Sequence, residues 1–199
     1  MRVVQLTDLH LTDNQNQKLL ETDTYHNFSY VLKEINRMKN KKHIDLIIIS
    51  GDITHDCKVS VYDYFLEKIE SLNIPYIIIP GNHDIKQHLD QAISERLPGF
   101  LINEQEYRYK EWYITSVDTV VEGEDYGFIT AENMEKLNQK LTANSGSNIA
   151  LFMHHHPTPV GTPIVDECKL LNSDNLLKLC VKHKVKLTGC GHAHTHHIP

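Results

Sequence analysis

The chain has 199 residues, of which 20 are basic and 26 acidic, for a formal charge of −6. That length suits one domain, residues 1–199, with a sizeable core, and the lack of any long block of one sign argues against a surface for long nucleic acids. No apolar run approaches the roughly 20 residues of a membrane span, and Met1-Arg2-Val3-Val4 leads straight into an extended segment without a secretory layout, so the expected location is cytoplasmic.

In chain order, Arg2 to Thr7 reads as a short strand ending on Asp8-Leu9-His10, followed by a polar loop, Thr12 to Lys18. From about Asp23 to Asn40, Phe28, Val31, Leu32, Ile35 and Met38 fall on one helical face. Asp45 to Ser50 is a second, buried strand that ends on Gly51-Asp52, and Tyr62, Phe65, Leu66 and Ile69 mark the next helix. Tyr76 to Ile79 is a third strand, leaving through Pro80-Gly81-Asn82-His83-Asp84. Strand–helix alternation of this kind predicts a mainly parallel sheet with helices on its faces.

A short helix is expected from Lys86 to Arg96, paired strands at Tyr107 to Tyr109 and Trp112 to Val117, and a helix from Thr130 to Leu141. Asn148 to Met153 is another apolar strand, ending on His154-His155-His156-Pro157. A loop from Pro157 to Pro163 precedes a helix at Ser173 to His183, and Val185 to Cys190 is a last strand ending on Gly191-His192-Ala193-His194. Cys57, Cys168, Cys180 and Cys190 form no CxxC pair and read as free thiols.

The chemistry lies in where the polar residues fall. Asp8 and His10, Asp52, Asn82 and His83, His154, and His192 and His194 each follow the carboxyl end of a predicted strand, the edge where ligands bind in open α/β sheets. The two i, i+2 pairs, Asp8/His10 and His192/His194, would each point to one side of an extended backbone. Carboxylate, imidazole and amide without thiolate suit manganese, iron or zinc. Seven candidate ligands suit two ions, with Asp52 as the shared carboxylate, an arrangement that serves in-line displacement at phosphorus. Asp84 reads as an orienting partner of His83 or as a helix N-cap. His155 and His156 are expected to pack or to support a ligand. His26, His43, His55, His88 and His183 read as solvated, and His196 and His197 as a frayed end.

Five ordered motifs, Asp8-x-His10, Gly51-Asp52, Gly81-Asn82-His83-Asp84, His154-His155-His156-Pro157 and Gly191-His192-Ala193-His194, resemble those of the calcineurin-like metallophosphoesterases. Gln5-Leu6-Thr7-Asp8-Leu9-His10, Ile79 through Asp84 and the triple histidine are similar to the class III cyclic-nucleotide phosphodiesterases. The resemblance implies an α/β fold, a β-sandwich core of parallel and mixed sheets flanked by helices. It implies one metal on Asp8, His10, Asp52 and His194 and another on Asp52, Asn82, His154 and His192, with His83 facing the phosphate. Manganese and iron are the expected metals, with zinc also compatible.

The implied reaction is hydrolysis of a phosphodiester, a 3′,5′-cyclic nucleotide in the first reading, by a hydroxide bridging the two ions. Asn82 and His83 would stabilise the equatorial oxygens, and His83 would protonate the leaving oxygen. Those phosphodiesterases continue some tens of residues past the last histidine pair, where this sequence ends at Pro199. Either the product is short or the sequence is C-terminally truncated, which bears on the substrate-side wall and on the stability of the sheet edge, and an exposed last strand would encourage a homodimer. Two rival readings share the motifs: a phosphoesterase for monoesters, nucleic acids or other small diesters, its specificity set by the loops Thr12–Thr22, Val120–Gly127 and Pro157–Cys168, and a metal-binding module of the same fold without turnover.

Overall fold

A computed structural model of the chain describes residues 1–55 and 58–194; Cys57, His196 and His197 lie outside the described residues. The first sheet is built from β1 (Val3–Leu6), β2 (Leu46–Ser50) and β3 (Tyr76–Ile79), all parallel in the order β1-β2-β3. Between them run α1 (Thr24–Lys41) and α2 (Val59–Glu70), and α3 (Lys86–Arg96) follows β3. Asp23 caps α1 by accepting from the His26 amide at 2.8 Å, which stops the helix one residue inside its expected start.

The second sheet contains β4 (Glu106–Tyr109), β5 (Trp112–Ser116), β6 (Asn148–Phe152) and β7 (Leu187–Gly189). β4 and β5 are antiparallel, whereas β5, β6 and β7 run parallel. Helix α4 (Ala131–Ala143), capped by the Thr130 hydroxyl, lies between β5 and β6, while α5 (Pro163–Glu167) and α6 (Ser173–Lys182) lie between β6 and β7. The five-residue α5 has no buried residue, so no apolar face marks it in the sequence, where a loop up to Pro163 followed by a helix at 173 is expected.

Three apolar layers hold these elements together. Ile47, Ile49, Tyr76 and Ile78 point toward Phe28, Ile35, Phe65, Leu66 and Ile69 of the first helical layer. Their alternate neighbours Leu46, Ile48, Ile77 and Ile79 meet Ile114, Ala150 and Phe152 of the other sheet. Tyr113, Ile149, Leu151 and Met153 then pack on Leu137, Leu141 and Leu176 of the second helical layer. A helix–sheet–sheet–helix sandwich results, and the exits of β1, β2, β3, β6 and β7 converge at one edge of it. No helix among the described residues is long and apolar enough to cross a membrane. Cys168, Cys180 and Cys190 are free.

Candidate metal centre

Backbone hydrogen bonds fasten the strand exits to one another. The amides of Asp8, His10 and Leu11 donate to the carbonyls of Gly51, Asp52 and Ile53 at 3.0, 2.9 and 3.0 Å, so the β1 exit continues beside the β2 exit beyond the sheet. On the other sheet, the amides of Met153 and Gly191 donate to the carbonyls of Gly189 and His154. The two halves meet where the His192 amide donates to the Asp8 carboxylate, 3.0 Å from Oδ1 and 3.1 Å from Oδ2. Asp8, His10, Asp52, His192 and His194 all have positive φ, between 44° and 67°. The paired residues thus converge through left-handed turns, and the extended-backbone alternation expected from their i, i+2 spacing is not what aims them. Non-glycine residues held there store strain that the surrounding contacts must hold in place.

Two donor sets form. In the first, His10 Nε2 lies 3.0 Å from His194 Nε2 and 3.5 Å from Asp52 Oδ2, and His194 Nε2 lies 3.3 Å from Asp8 Oδ1. In the second, His154 Nε2 lies 3.5 Å from Asp52 Oδ2 and 3.0 Å from Asn82 Oδ1, while His192 Nδ1 lies 3.0 Å from Asn82 Oδ1 and 3.3 Å from His154 Nε2. Asp52 Oδ2 belongs to both. Its other oxygen accepts the His83 amide at 3.0 Å, which turns Oδ2 toward the two sets.

These residues fit a pair of cations. Metal–nitrogen and metal–oxygen bonds of about 2.0–2.2 Å put neighbouring donors on one ion about 3–3.5 Å apart, which matches the spacings here. His154 Nδ1 lies 2.8 Å from the Ser50 carbonyl; donation of its proton there leaves Nε2 as a bare lone pair aimed at the centre. Thr7 donates to Asp8 Oδ2 at 2.7 Å and orients that carboxylate.

The electrostatics favour the deprotonated forms of His10, His192, Asp52 and Asp8. Burial pushes His10 and His192 each down to about 4, the neighbouring imidazoles adding to the effect. Burial works to raise Asp52 and Asp8, but the hydrogen bonds and charges of His154 and His194 outweigh it and hold both carboxyls below their ordinary value. His154 and His194 are raised: burial opposes the effect of Asp52 on His154, and the Asp8 hydrogen bond leads for His194.

Two glycines are dictated by this crowding. Gly51, at φ 99°, has no room for a side chain, since a Cβ there would stand 2.2 Å from His154 Nδ1. At Gly81 a Cβ would stand 2.1 Å from Asp52 Oδ1 and 2.4 Å from the Asp52 nitrogen.

All the residues expected at the centre, Asp8, His10, Asp52, Asn82, His83, His154, His192 and His194, are brought together, and two of their neighbours, Asp84 and His55, differ from expectation. Asp84 is neither cap nor partner of His83: α3 begins after Ile85 without a side-chain cap. Instead Asp84 is buried and accepts from the amides of Gly81, Ile53 and Thr54 and from the Tyr62 hydroxyl, at 2.9, 3.1, 3.2 and 3.1 Å, clamping the exits of β2 and β3. His55 is not remote. Its ring centroid lies 5.2 Å from that of His83 and 5.7 Å from that of His10, and the three imidazoles form a further cluster of donors. His155 and His156 are buried against the second set: His155 Nδ1 lies 2.8 Å from the Thr119 hydroxyl, and the His156 ring stacks on His192 with its Nε2 3.5 Å from Asp166. A cavity of about 770 Å³ borders the centre through Asp8 and His194 and runs to β7 past Gln5 and Thr188.

Comparison with known proteins agrees with this geometry. A sequence model described as calcineurin-like phosphoesterase matches residues 1–196. A protein of Xenorhabdus bovienii named "probable cyclic nucleotide phosphodiesterase" is 55% identical over 195 residues, covering 98% of this chain and 79% of that relative. The 3′,5′-cyclic adenosine monophosphate phosphodiesterase of Escherichia coli is 30% identical, covering 98% of this chain and 70% of the relative. A dimetal phosphatase from Danio rerio superimposes with a TM-score of 0.70 at 14% identity, over 96% of this chain and 81% of that structure, a likeness of fold.

Proposed function

The chain belongs to the calcineurin-like phosphoesterase family and is a metallophosphoesterase, and from that premise we propose that it hydrolyses a 3′,5′-cyclic nucleotide to the 5′-nucleotide. One observation carries the reading: a single oxygen, Asp52 Oδ2, stands 3.5 Å from both His10 Nε2 and His154 Nε2 and so joins two complete donor sets. We assign Asp8, His10, Asp52 and His194 to one divalent ion and Asp52, Asn82, His154 and His192 to the other. The mixed nitrogen and oxygen donors favour manganese or iron and also suit zinc. Ions bound there supply Lewis-acid polarisation of phosphoryl oxygens and lower the pKa of a water toward neutrality.

The chain's own groups do the rest. Asn82 presents its carboxamide oxygen to the second set, which would set it beside a bound phosphoryl group. His83 is held by its amide on Asp52, its ring centroid 4.9 Å from that of His10. These contacts support a role in which its imidazole meets an equatorial oxygen and passes a proton to the leaving oxygen. The names of the relatives from Xenorhabdus bovienii and Escherichia coli support a cyclic nucleotide over other small esters. The same reading takes the chain as one cytoplasmic domain. The outer edge of β7, unpaired among the described residues, supports a homodimer.

Rates with added manganese on 3′,5′-cyclic AMP, bis-p-nitrophenyl phosphate and p-nitrophenyl phosphate test the proposal. Hydrolysis of the cyclic nucleotide with the highest kcat/KM is expected. Two bound ions per chain without hydrolysis of any ester would overturn it in favour of a binding module.

A further inference from the structure

The loop joining β5 to α4 is braced from three sides. Its base closes as an antiparallel bridge between Val120 and Gly127, with the Phe128 amide donating to the Thr119 carbonyl at 2.9 Å. Gly127 also exchanges hydrogen bonds with the segment before α6, donating to Lys169 at 3.2 Å and accepting from Leu171 at 2.9 Å. Its third support is the buried His155: a Cβ on Gly127 would lie 2.5 Å from the imidazole Cγ, so backbone and ring are in close contact. Held this way, the loop carries Glu122-Gly123-Glu124-Asp125, of which Asp125 reaches Asn82 of the metal centre. At its tip the Asn82 carboxamide nitrogen donates to Asp125 Oδ1 at 3.4 Å. The other end of the same carboxamide, Oδ1, lies in the second donor set. An exposed carboxylate side chain therefore stands one amide group away from where a phosphoryl group would bind.

We infer that Asp125 is a specificity-determining residue that disfavours dianionic phosphate monoesters relative to monoanionic diesters. The inference rests on the phosphoesterase reading above and deepens it. A monoester carries about −1.5 to −2 charges near neutral pH, against −1 for a diester. The additional charge interacts unfavourably with the Asp125 carboxylate while both esters gain from the same cations and from Asn82. At the effective dielectric of a partly exposed site, one extra unit of like charge several ångströms away is worth on the order of three- to ten-fold in relative kcat/KM. His155, whose ring nitrogens also group with those of His154 and His192, is the buttress for the loop that carries Asp125.

The test compares the unmodified protein with Asp125→Asn, which preserves shape and an acceptor for Asn82 but removes the charge. With manganese present, the ratio of kcat/KM for p-nitrophenyl phosphate to that for bis-p-nitrophenyl phosphate is expected to rise about three- to ten-fold in D125N, and the gain to shrink in high salt. Inorganic phosphate, a dianion at pH 8, is expected to bind D125N more tightly by a similar factor in calorimetry, a readout independent of turnover. Asp125→Ser, smaller and neutral, is expected to shift the ratio in the same direction. A ratio and phosphate affinity within two-fold of the unmodified protein in both variants, on an active enzyme, would overturn the inference alone. Absence of hydrolysis of either ester by the unmodified protein would overturn the phosphoesterase reading, and this inference with it.

Discussion

Replacing Asp84 by alanine probes how the centre is held together, because this buried carboxylate touches none of the donor atoms. Its oxygens accept from the amides of Gly81, Ile53 and Thr54 and from the Tyr62 hydroxyl. Those amides belong to the exits of β2 and β3, which carry Asp52 and Asn82. A buried donor left without a partner costs about 1–3 kcal/mol, and water entering the vacated space would satisfy part of the set. A net loss of about 3–5 kcal/mol follows, a large share of a stability of about 5–15 kcal/mol. At a urea slope of about 2 kcal/mol/M that moves the unfolding midpoint down by about 1.5–2.5 M. The loosened exits should also reduce retained metal after dialysis. Asp84→Asn should fail in the same direction, since an amide keeps the shape but turns a donor toward donors. A midpoint shift under about 0.5 M, with metal content unchanged, would refute the role of Asp84 as a clamp.

His83→Ala is expected to retain metal and lose turnover by on the order of 10²–10⁴-fold; an unchanged rate would remove His83 from the mechanism. Gly81→Ala drives a Cβ to 2.1 Å from Asp52 Oδ1 and is expected to cost about 1–3 kcal/mol, with metal affinity lower by about 10–100-fold; calorimetric metal titration checks it. The metal-free protein should lose stability in acid. His10 and His192, each depressed to about 4, contribute stability that is present above the ordinary histidine value and lost as pH falls from 6.5 toward 4. Asp52 and Asp8, also depressed, extend that loss below the ordinary carboxylate range. His154 and His194, being raised, contribute in the opposite sense, fully below 6.5 and less as pH rises. Thermal melts of chelator-treated protein should therefore show the midpoint climbing between pH 4.5 and 6.5; a flat profile would contradict the balance.

The strands and long helices were legible because their periodicity is strong. Phe28, Leu32 and Ile35 mark one face of α1, and Tyr76 to Ile79 is apolar throughout because β3 is covered on both sides. Which cover lies on which side was not legible: Leu46 and Ile47 are equally apolar, yet one meets the second sheet and the other the helices. Only the family resemblance carried the sandwich. The metal-binding candidates were found because polar residues at strand exits stand out after apolar runs. His55 was misread because the β1 and β2 exits stay paired past the sheet, with Leu11 bridged to Thr54, which carries the chain alongside the centre for several more residues. That pairing leaves no local signal. Asp84 failed for a related reason, since three of its partners lie 22–31 positions away while its local sequence resembles a cap. Asp125 could be suspected only as part of an acidic loop, because its link to Asn82 spans 43 positions.

Elemental analysis of the purified chain beside Asp52→Ala tests the central claim most directly, since one oxygen of Asp52 serves both donor sets. Two ions per chain are predicted for the unmodified protein, with metal and ester hydrolysis lost together in the variant. Two ions retained by Asp52→Ala, or a fully active protein that holds none, would contradict the account.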